Sequence, residues 1–225
     1  MKTSVIMPAY KASAYIAQAL RSALDELAPG DEVIVVDDAS PDDIQAIVEQ
    51  VGDPRIRYRR LPRNGGAAAA RNAGLAMARG DLIQFLDDDD LWVPGRQAVV
   101  LDLMAAPSVA VVSGWVEHFL SPDMPPEARQ RYVLPPPQAA VLGGSTAIRR
   151  ELLERVGDFD TGLVSGEFID LASRLMATQA GWARSDALFL RRRIHGGNHT
   201  LSKSGHSAAY LAVVRAHLQR QRGLA

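Results

Sequence analysis

Short apolar, β-branched runs alternate with helix-patterned stretches through the first half of the chain, and that alternation restricts the fold to βαβ units around a mostly parallel sheet. Thr3 to Met7 reads as a first strand, ended by Pro8. Ser13 is placed to cap a helix whose apolar positions Tyr15, Ile16, Ala19, Leu20, Ala23, Leu24 and Leu27 follow the helical period, with Pro29-Gly30 as its stop. Glu32-Val33-Ile34-Val35-Val36 has the unbroken pattern of a strand covered on both faces. Ser40 or Asp42 can cap the next helix, which runs to about Val51. Arg55 to Leu61 suits a third strand, Asn64-Gly65-Gly66 turns into an alanine-rich helix over Ala67 to Ala78, and Asp81 to Leu86 forms a fourth strand. A helix over Gly95 to Ala105 and a strand over Val109 to Ser113 complete this regular part.

Two of these strands finish in acid, the second on Asp37-Asp38 and the fourth on Asp87, Asp88, Asp89 and Asp90. Parallel strands share a C-terminal edge, where open α/β sheets hold their ligands, so both clusters and the Pro8-Ala9-Tyr10 turn belong to one crevice. Packing like charges costs free energy unless a cation lies among them, and carboxylate oxygens select a hard divalent ion such as Mn²⁺ or Mg²⁺. A solvated acidic turn is the competing reading. The crevice suits a nucleotide diphosphate with its metal: the Tyr10 ring can stack on a base, an aspartate can accept from base or ribose, and the ion can bridge diphosphate oxygens. Tyr10 alone also fits ordinary packing, and Asp37-Asp38 alone fits a helix-capping turn.

Charge and composition remove other classes. With 25 basic and 26 acidic residues the formal charge is -1, which leaves no electrostatic footprint for nucleic acid. The chain has no cysteine, which excludes disulfides, zinc–thiolate sites and thiol nucleophiles. Its first residues run straight into a strand, and no apolar stretch approaches the ~20 residues that span a bilayer, so the expectation is a cytoplasmic protein with no transmembrane segment. A nicotinamide dehydrogenase needs a glycine fingerprint after the first strand, and Pro8-Ala9-Tyr10-Lys11-Ala12-Ser13 has no glycine.

The second half is less regular. Between Gly114 and about Val141, Pro122, Pro125, Pro126 and Pro135 to Pro137 mark an irregular surface excursion. Order resumes over Ala140 to Ile148, followed by helices at Arg150 to Val156 and about Glu167 to Ala180, a strand near Ala183 to Ile194, and a C-terminal helix over about Ser207 to Arg222.

Four segments in register resemble successive motifs of the family 2 glycosyltransferases, which have the GT-A fold. They are Ser4-Val5-Ile6-Met7-Pro8-Ala9-Tyr10, Val35-Val36-Asp37-Asp38-Ala39-Ser40, Ala70-Arg71-Asn72-Ala73-Gly74 with Ala78-Arg79-Gly80-Asp81, and Phe85-Leu86-Asp87-Asp88-Asp89-Asp90-Leu91-Trp92. The resemblance implies an α/β fold with a Rossmann-like central sheet in one domain over 1–225. In that domain 1–113 would bind the nucleotide sugar and 114–225 would form the acceptor side. It implies a nucleotide-diphosphate sugar donor, most often a UDP-sugar, a divalent metal, and inversion at the anomeric carbon. The acceptor, whether glycan, lipid-linked, peptide or small molecule, is not specified.

Carried over by position, Pro8, Ala9, Tyr10 and Asp38 line the nucleotide pocket with Asp37 in support, and Arg71 lies near the nucleotide or is a surface residue of its helix. Asp87-x-Asp89 matches the family's DxD motif, with Asp89 a metal ligand, Asp87 or Asp88 on ribose or metal, and Asp90 capping the following turn. Lys11 stands where many members carry Asn. Inverting transfer also needs a base for the acceptor hydroxyl. Gly166-Glu167-Phe168-Ile169-Asp170 resembles the family's Gly-Glu-Asp segment, but Phe168 replaces the catalytic Asp. Three readings stay open: Glu167 is the base, Asp170 is the base from the same helical face, or transfer is lost and a binding module remains. Asp170 and Arg174 also fit a structural pair. Finally, Arg193-Ile194-His195-Gly196-Gly197-Asn198 resembles a C-terminal family segment in which His195 would bind metal or diphosphate, while Arg191 to Arg193 either balance diphosphate charge or line an exposed edge.

Overall fold

The computed structural model of the chain describes residues 1–163 and 165–196. The helix expected over Ser207 to Arg222, the Gly197-Asn198-His199-Thr200 segment, His206 and His217 lie outside the described residues.

The unbroken apolar runs make the centre of the sheet. β1 (Thr3–Ala9) and β2 (Glu32–Asp37) are buried along their whole length and pair in parallel from Ser4↔Glu32 to Ala9↔Asp37. β3 (Ile56–Arg60) lies outside β2, and β4 (Leu82–Phe85) lies on the other side of β1, both parallel. Successive β1 side chains enter opposite cores, as the two-residue period requires. Val5 and Met7 meet Ile16 and Leu20 of α1 (Ile16–Leu24) and Ile44 of α2 (Ile44–Val51), whereas Ile6 packs with Ala68 of α3 (Gly66–Leu75). The α3 backbone comes so close to β1 that a Cβ on Gly74 would lie 2.4 Å from Ile6 Cγ2.

Pro8 does not end the first strand. The Ala9 carbonyl accepts from the Asp38 amide on the β2 side (2.9 Å), and the Ile6 carbonyl accepts from the Leu86 amide on the β4 side (3.1 Å). Pro8, in phase with Ile6, therefore turns its missing N–H toward β4, whose pairing with β1 has already ended at Ile6↔Phe85. The helix caps also differ from expectation. Ser13 gives its amide to Asp42 (2.8 Å) instead of capping α1, and α2 is capped by Asp43, which accepts from the Ala46 amide (3.1 Å), rather than by Ser40 or Asp42.

Beyond β4 the sheet becomes mixed. β8 (Thr146–Arg149) pairs with β4, β6 (Val109–Leu120) pairs with β8, and β9 (Gly181–Ile194) runs parallel to β6. With β5 (Leu91–Trp92) beside β9, the order is β3-β2-β1-β4-β8-β6-β9-β5, and β7 (Gln138–Ala139) pairs with β6. The strand expected to stop at Ser113 thus continues through Gly114 to Leu120. Gly114 is a contact rather than a break, because a Cβ there would lie 2.3 Å from Phe189 Cγ on β9. The irregular stretch shrinks to the residues between β6 and β7, with a single helical turn, α5 (Pro126–Arg129), inside it. Three more helices complete the described fold: α4 (Arg96–Met104), α6 (Arg150–Val156) and α7 (Glu167–Ala177). Among the described residues no helix is long and apolar enough to cross a membrane.

Arg96, which opens α4, is 1% exposed, and its three side-chain nitrogens have no hydrogen-bond partner among the described residues. Its guanidinium lies 3.7 Å from the Trp92 ring centroid and 5.1 Å from that of Phe189. Burial pushes it down to about 9, still protonated at neutral pH.

Candidate functional site

The acids that end β2 are turned inward and hold neighbouring loops. Asp37 is fully buried: one oxygen accepts from the Ser40 amide (2.7 Å), the other from the Tyr58 hydroxyl (2.6 Å) and Arg60 (2.7 Å). Burial and then the bond to Asp37 push the Tyr58 phenol up to about 12. Asp38 accepts from the amides of Gly65 and Gly66 at 2.7 Å each, so it caps α3 from another strand. The capping-turn reading of this pair therefore holds: the two carboxylates fix turns at the rim of the crevice.

The β1 turn lies against this rim and against the aspartate run. Pro8 and Ala9 are buried beneath Tyr10, whose amide donates to Asp88 (3.1 Å) while its side chain stays exposed. Lys11 and Ala39, just past the ends of β1 and β2, both have φ of 55°, the left-handed region that costs most residues energy. Asn tolerates that region, which gives a physical reason for the family's Asn at the Lys11 position. The Lys11 amide donates to Ser40 Oγ (2.6 Å), and its ammonium lies 5.4 Å from the Tyr10 ring centroid.

The four aspartates divide by direction. Asp87 keeps an exposed carboxylate, one oxygen of which accepts from Arg71 (2.7 Å). Burial, then the neighbouring charges, hold the Asp88 carboxyl well above the usual range, and the Tyr10 amide only partly offsets this. Asp89 lies 3.0 Å from His195 Nε2; burial and Asp87 raise its carboxyl, and the histidine opposes them. Asp90 does not cap the following turn. It is buried and accepts from the Arg193 amide on β9 (2.9 Å), because β9 runs directly behind the run.

Arg193 is not an exposed edge residue. It is buried, donates to the Asp89 carbonyl (2.8 Å) and Gln18 (2.8 Å), and stacks against Tyr15 and Phe119. Arg191 pairs instead with Glu117 (2.9 Å). Tyr15 also packs against the His195 ring, with centroids 4.8 Å apart. The role of Arg193 is visible only in its alternation with Ile194 along β9, which places it on the face opposite its neighbours.

Arg71 is buried, so it is not a surface residue of its alanine-rich helix. Its two terminal nitrogens donate to Asp87 (2.7 Å) and Glu167 (2.5 Å), and its guanidinium carbon lies 5.6 Å from the Phe159 ring centroid. Gly166, at φ 80°, turns the chain into α7 and presents Glu167 to the crevice side. Phe168 points the other way, into the core, against Phe85 and Phe159 at 6.0 and 6.3 Å between centroids. Asp170 is 1% exposed and accepts from Arg174 (2.9 Å), whose other nitrogens bind the carbonyls of Val156, Gly157 and Asp158. It is the structural pair, joining α7 to the end of α6.

Among the described residues no three His, Cys, Asp or Glu side chains converge as a metal cage. One Asp87 oxygen is tied to Arg71, so the donors that fit a divalent ion are the Asp89 oxygens, His195 Nε2 and the second Asp87 oxygen, a set suited to Mn²⁺ or Mg²⁺ only if ligand or water oxygens supply the remaining positions.

A parallel sheet with acid at its C-terminal edge, extended by strands of mixed direction, defines the GT-A class. Solved structures share this fold: that of S. aureus TarS residues 1–349 in complex with UDP-GlcNAc superposes with a TM-score of 0.75 at 23% identity, covering 96% of this chain and 65% of that one. The glycosyl transferase family 2 model matches residues 4–157, and the chain belongs to that family. Its relatives include the succinoglycan biosynthesis protein ExoO of Rhizobium meliloti, 44% identical over 91 residues that make up 40% of this chain and 26% of ExoO. Another is WfgD of Escherichia coli, a UDP-Glc:alpha-D-GlcNAc-diphosphoundecaprenol beta-1,3-glucosyltransferase, 33% identical over 111 residues, which are 49% of this chain and 44% of WfgD. The chain spans less than half the length of either relative.

Proposed function

We propose that this chain transfers a sugar from a nucleotide diphosphate donor, a UDP-sugar, to an acceptor hydroxyl with inversion and with Mn²⁺ or Mg²⁺ bound. Among the described residues the nine strands form one sheet, and we read the chain as one domain with a donor half over 1–113 and an acceptor half over 114–225. The observation that carries the reading is the approach of His195 to Asp89, beside an exposed Tyr10 ring and a Tyr10 amide held by Asp88. UDP as the nucleotide is supported by the names of TarS in its UDP-GlcNAc complex and of WfgD.

In this reading Tyr10 stacks on the base above Pro8 and Ala9, while Asp37 and Asp38 keep the rim rigid through their hydrogen bonds to the adjoining loops. Asp89 and His195 would hold the ion, which when bound neutralises charge developing on the diphosphate. As the acceptor oxygen attacks the anomeric carbon and the bond to the diphosphate oxygen breaks, Glu167 takes the hydroxyl proton. Asp170 is spent on Arg174, which leaves Glu167 as the carboxylate on the crevice side. Calorimetry tests the donor half: UDP should bind in the presence of Mn²⁺, and Asp89→Ala should abolish that dependence. Equal binding with and without metal, or no binding of any nucleoside diphosphate, would sink the proposal.

A second reading rests on Phe168, whose ring fills the core where the family's catalytic carboxylate is expected. It makes the chain a nucleotide-sugar-binding module without transfer. Slow metal-dependent release of UDP from a bound UDP-sugar, lost in Glu167→Gln, excludes it; donors that bind and are never cleaved establish it.

A further inference from the structure

Arg71 bridges the aspartate run that follows β4 and the start of α7. Its side chain is 6% exposed, and its two terminal nitrogens are 2.7 Å from Asp87 Oδ1 and 2.5 Å from Glu167 Oε1. The two carboxylates lie 80 positions apart in the chain, one on the DxD run and one proposed as base. A guanidinium is planar and holds two such acceptors at a fixed separation, which a lysine ammonium cannot do. The mount is rigid: Arg71 sits on α3, whose backbone is pressed onto β1 at Gly74, whose start is held by Asp38, and whose next residue, Asn72, exchanges hydrogen bonds with the Phe159 backbone at 2.9 Å each way. Glu167 itself follows Gly166 at the first position of its helix, and among the described residues its carboxylate has no other hydrogen bond, so its direction is set from α3.

We propose that Arg71 is a positioning residue for transfer rather than a nucleotide contact: it aims the Glu167 carboxylate and fixes its distance from Asp87, thereby linking donor-side and acceptor-side geometry. The inference rests on the proposed function, with Glu167 as base. It makes no use of the unassigned acceptor. The consequence is a split between binding and turnover. Both terminal nitrogens are occupied by protein carboxylates, so removing the fork should leave nucleotide affinity nearly intact. Misplacing a base by about 1 Å, in contrast, costs on the order of 100-fold in rate.

The test is a cycle of Arg71→Lys, Glu167→Gln and the double variant, measured by Mn²⁺-dependent UDP calorimetry and by UDP release from UDP-GlcNAc or another UDP-sugar that the wild type cleaves. Arg71→Lys should lower kcat about 100-fold, with Kd for UDP and donor KM within about threefold of wild type. In the double variant kcat should be no lower than in Glu167→Gln, since Arg71 acts through that carboxylate. A rise of tenfold or more in the UDP Kd with saturating kcat preserved, or multiplicative losses in the double variant, would overturn the proposal. If Arg71→Lys loses its cooperative melt, Glu167→Asp serves instead, because it withdraws the carboxylate from Arg71 by one methylene. A loss as deep as that of Glu167→Gln supports positioning, and wild-type turnover overturns it. A wild type that binds no UDP defeats the function proposed above, a result distinct from any of these.

Discussion

Replacing Arg96 with Met should make the protein more stable, although Arg96 is among its most buried side chains. The guanidinium is held among Trp92 and Phe189 with no hydrogen-bond partner among the described residues, and burial pushes it from the usual arginine range down to about 9. At ~1.4 kcal/mol per unit, that depression corresponds to a cost of about 5 kcal/mol for keeping the charge buried. The sign follows from linkage: the folded value lies below the unfolded one, so the penalty is complete below about pH 9 and fades as pH rises above it toward the ordinary arginine range. The stacked contact with Trp92 returns about 2 kcal/mol, which leaves roughly 3 kcal/mol against the arginine. Methionine fills a similar volume and keeps a favourable sulfur contact with both rings, so the net gain should be about 1–3 kcal/mol at pH 7. Urea unfolding followed by far-ultraviolet circular dichroism reads this directly. With a slope of ~3 kcal/mol per molar, the midpoint should rise by about 0.3–1 M. Arg96→Lys, which keeps the charge and loses the planar stack, should lower it. A loss of more than about 1 kcal/mol in Arg96→Met would refute the reasoning, because it would mean that the buried cation is compensated.

Three further outcomes follow from local geometry. Gly74→Ala forces a Cβ to within 2.4 Å of Ile6 Cγ2 and should cost about 1–3 kcal/mol, seen as a melting temperature lower by ~2–4 °C per kcal/mol; an unchanged melt would show that α3 can lift from β1. Lys11→Asn, at φ 55°, should stabilise by ~0.5–1 kcal/mol in the same assay, and a destabilised variant would show that the lysine side chain compensates its strained backbone. Tyr58 is raised from 10.0 to about 12 by burial and its bond to Asp37, so its contribution to stability is complete below pH 10 and lost as pH rises through 12. Absorbance titration at alkaline pH should show one phenol ionising late, and Tyr58→Phe should remove that step; a late step that survives belongs to another tyrosine.

The parts of this fold legible in the sequence are those in which one segment determines its own environment. Val33 to Val36 could only be a covered strand, and acid following such strands could only gather at their shared edge. Directions that depend on a distant partner were not legible. Arg71 sits in a run of alanines, and nothing local distinguishes a solvated arginine from one gripping Glu167 on another helix. Asp38 looks like a cap for the helix that follows it, but caps α3 because Gly65 and Gly66 are brought back beside β2. Gly114 reads as a break and is instead the space that Phe189 occupies, which is why β6 was expected to be shorter than it is. Phe168 at a family carboxylate position left three readings open in the sequence, Glu167, Asp170 or no base; its ring lies in the core, Asp170 pairs with Arg174, and Glu167 meets Arg71.

The contact between Asp89 and His195 spans 106 positions, and Arg193 closes a loop of similar length onto the Asp89 carbonyl. Closing such loops is slow compared with forming the parallel β1–β2 unit, whose paired residues are only 28 apart at Ser4↔Glu32. During synthesis the aspartates therefore emerge and dock into the sheet long before their histidine exists. A nascent chain stopped short of β9 carries the acidic run with Asp90 unpaired and the Asp89 carbonyl unheld, so pulse-labelled hydrogen exchange should find this edge of the sheet the last to become protected.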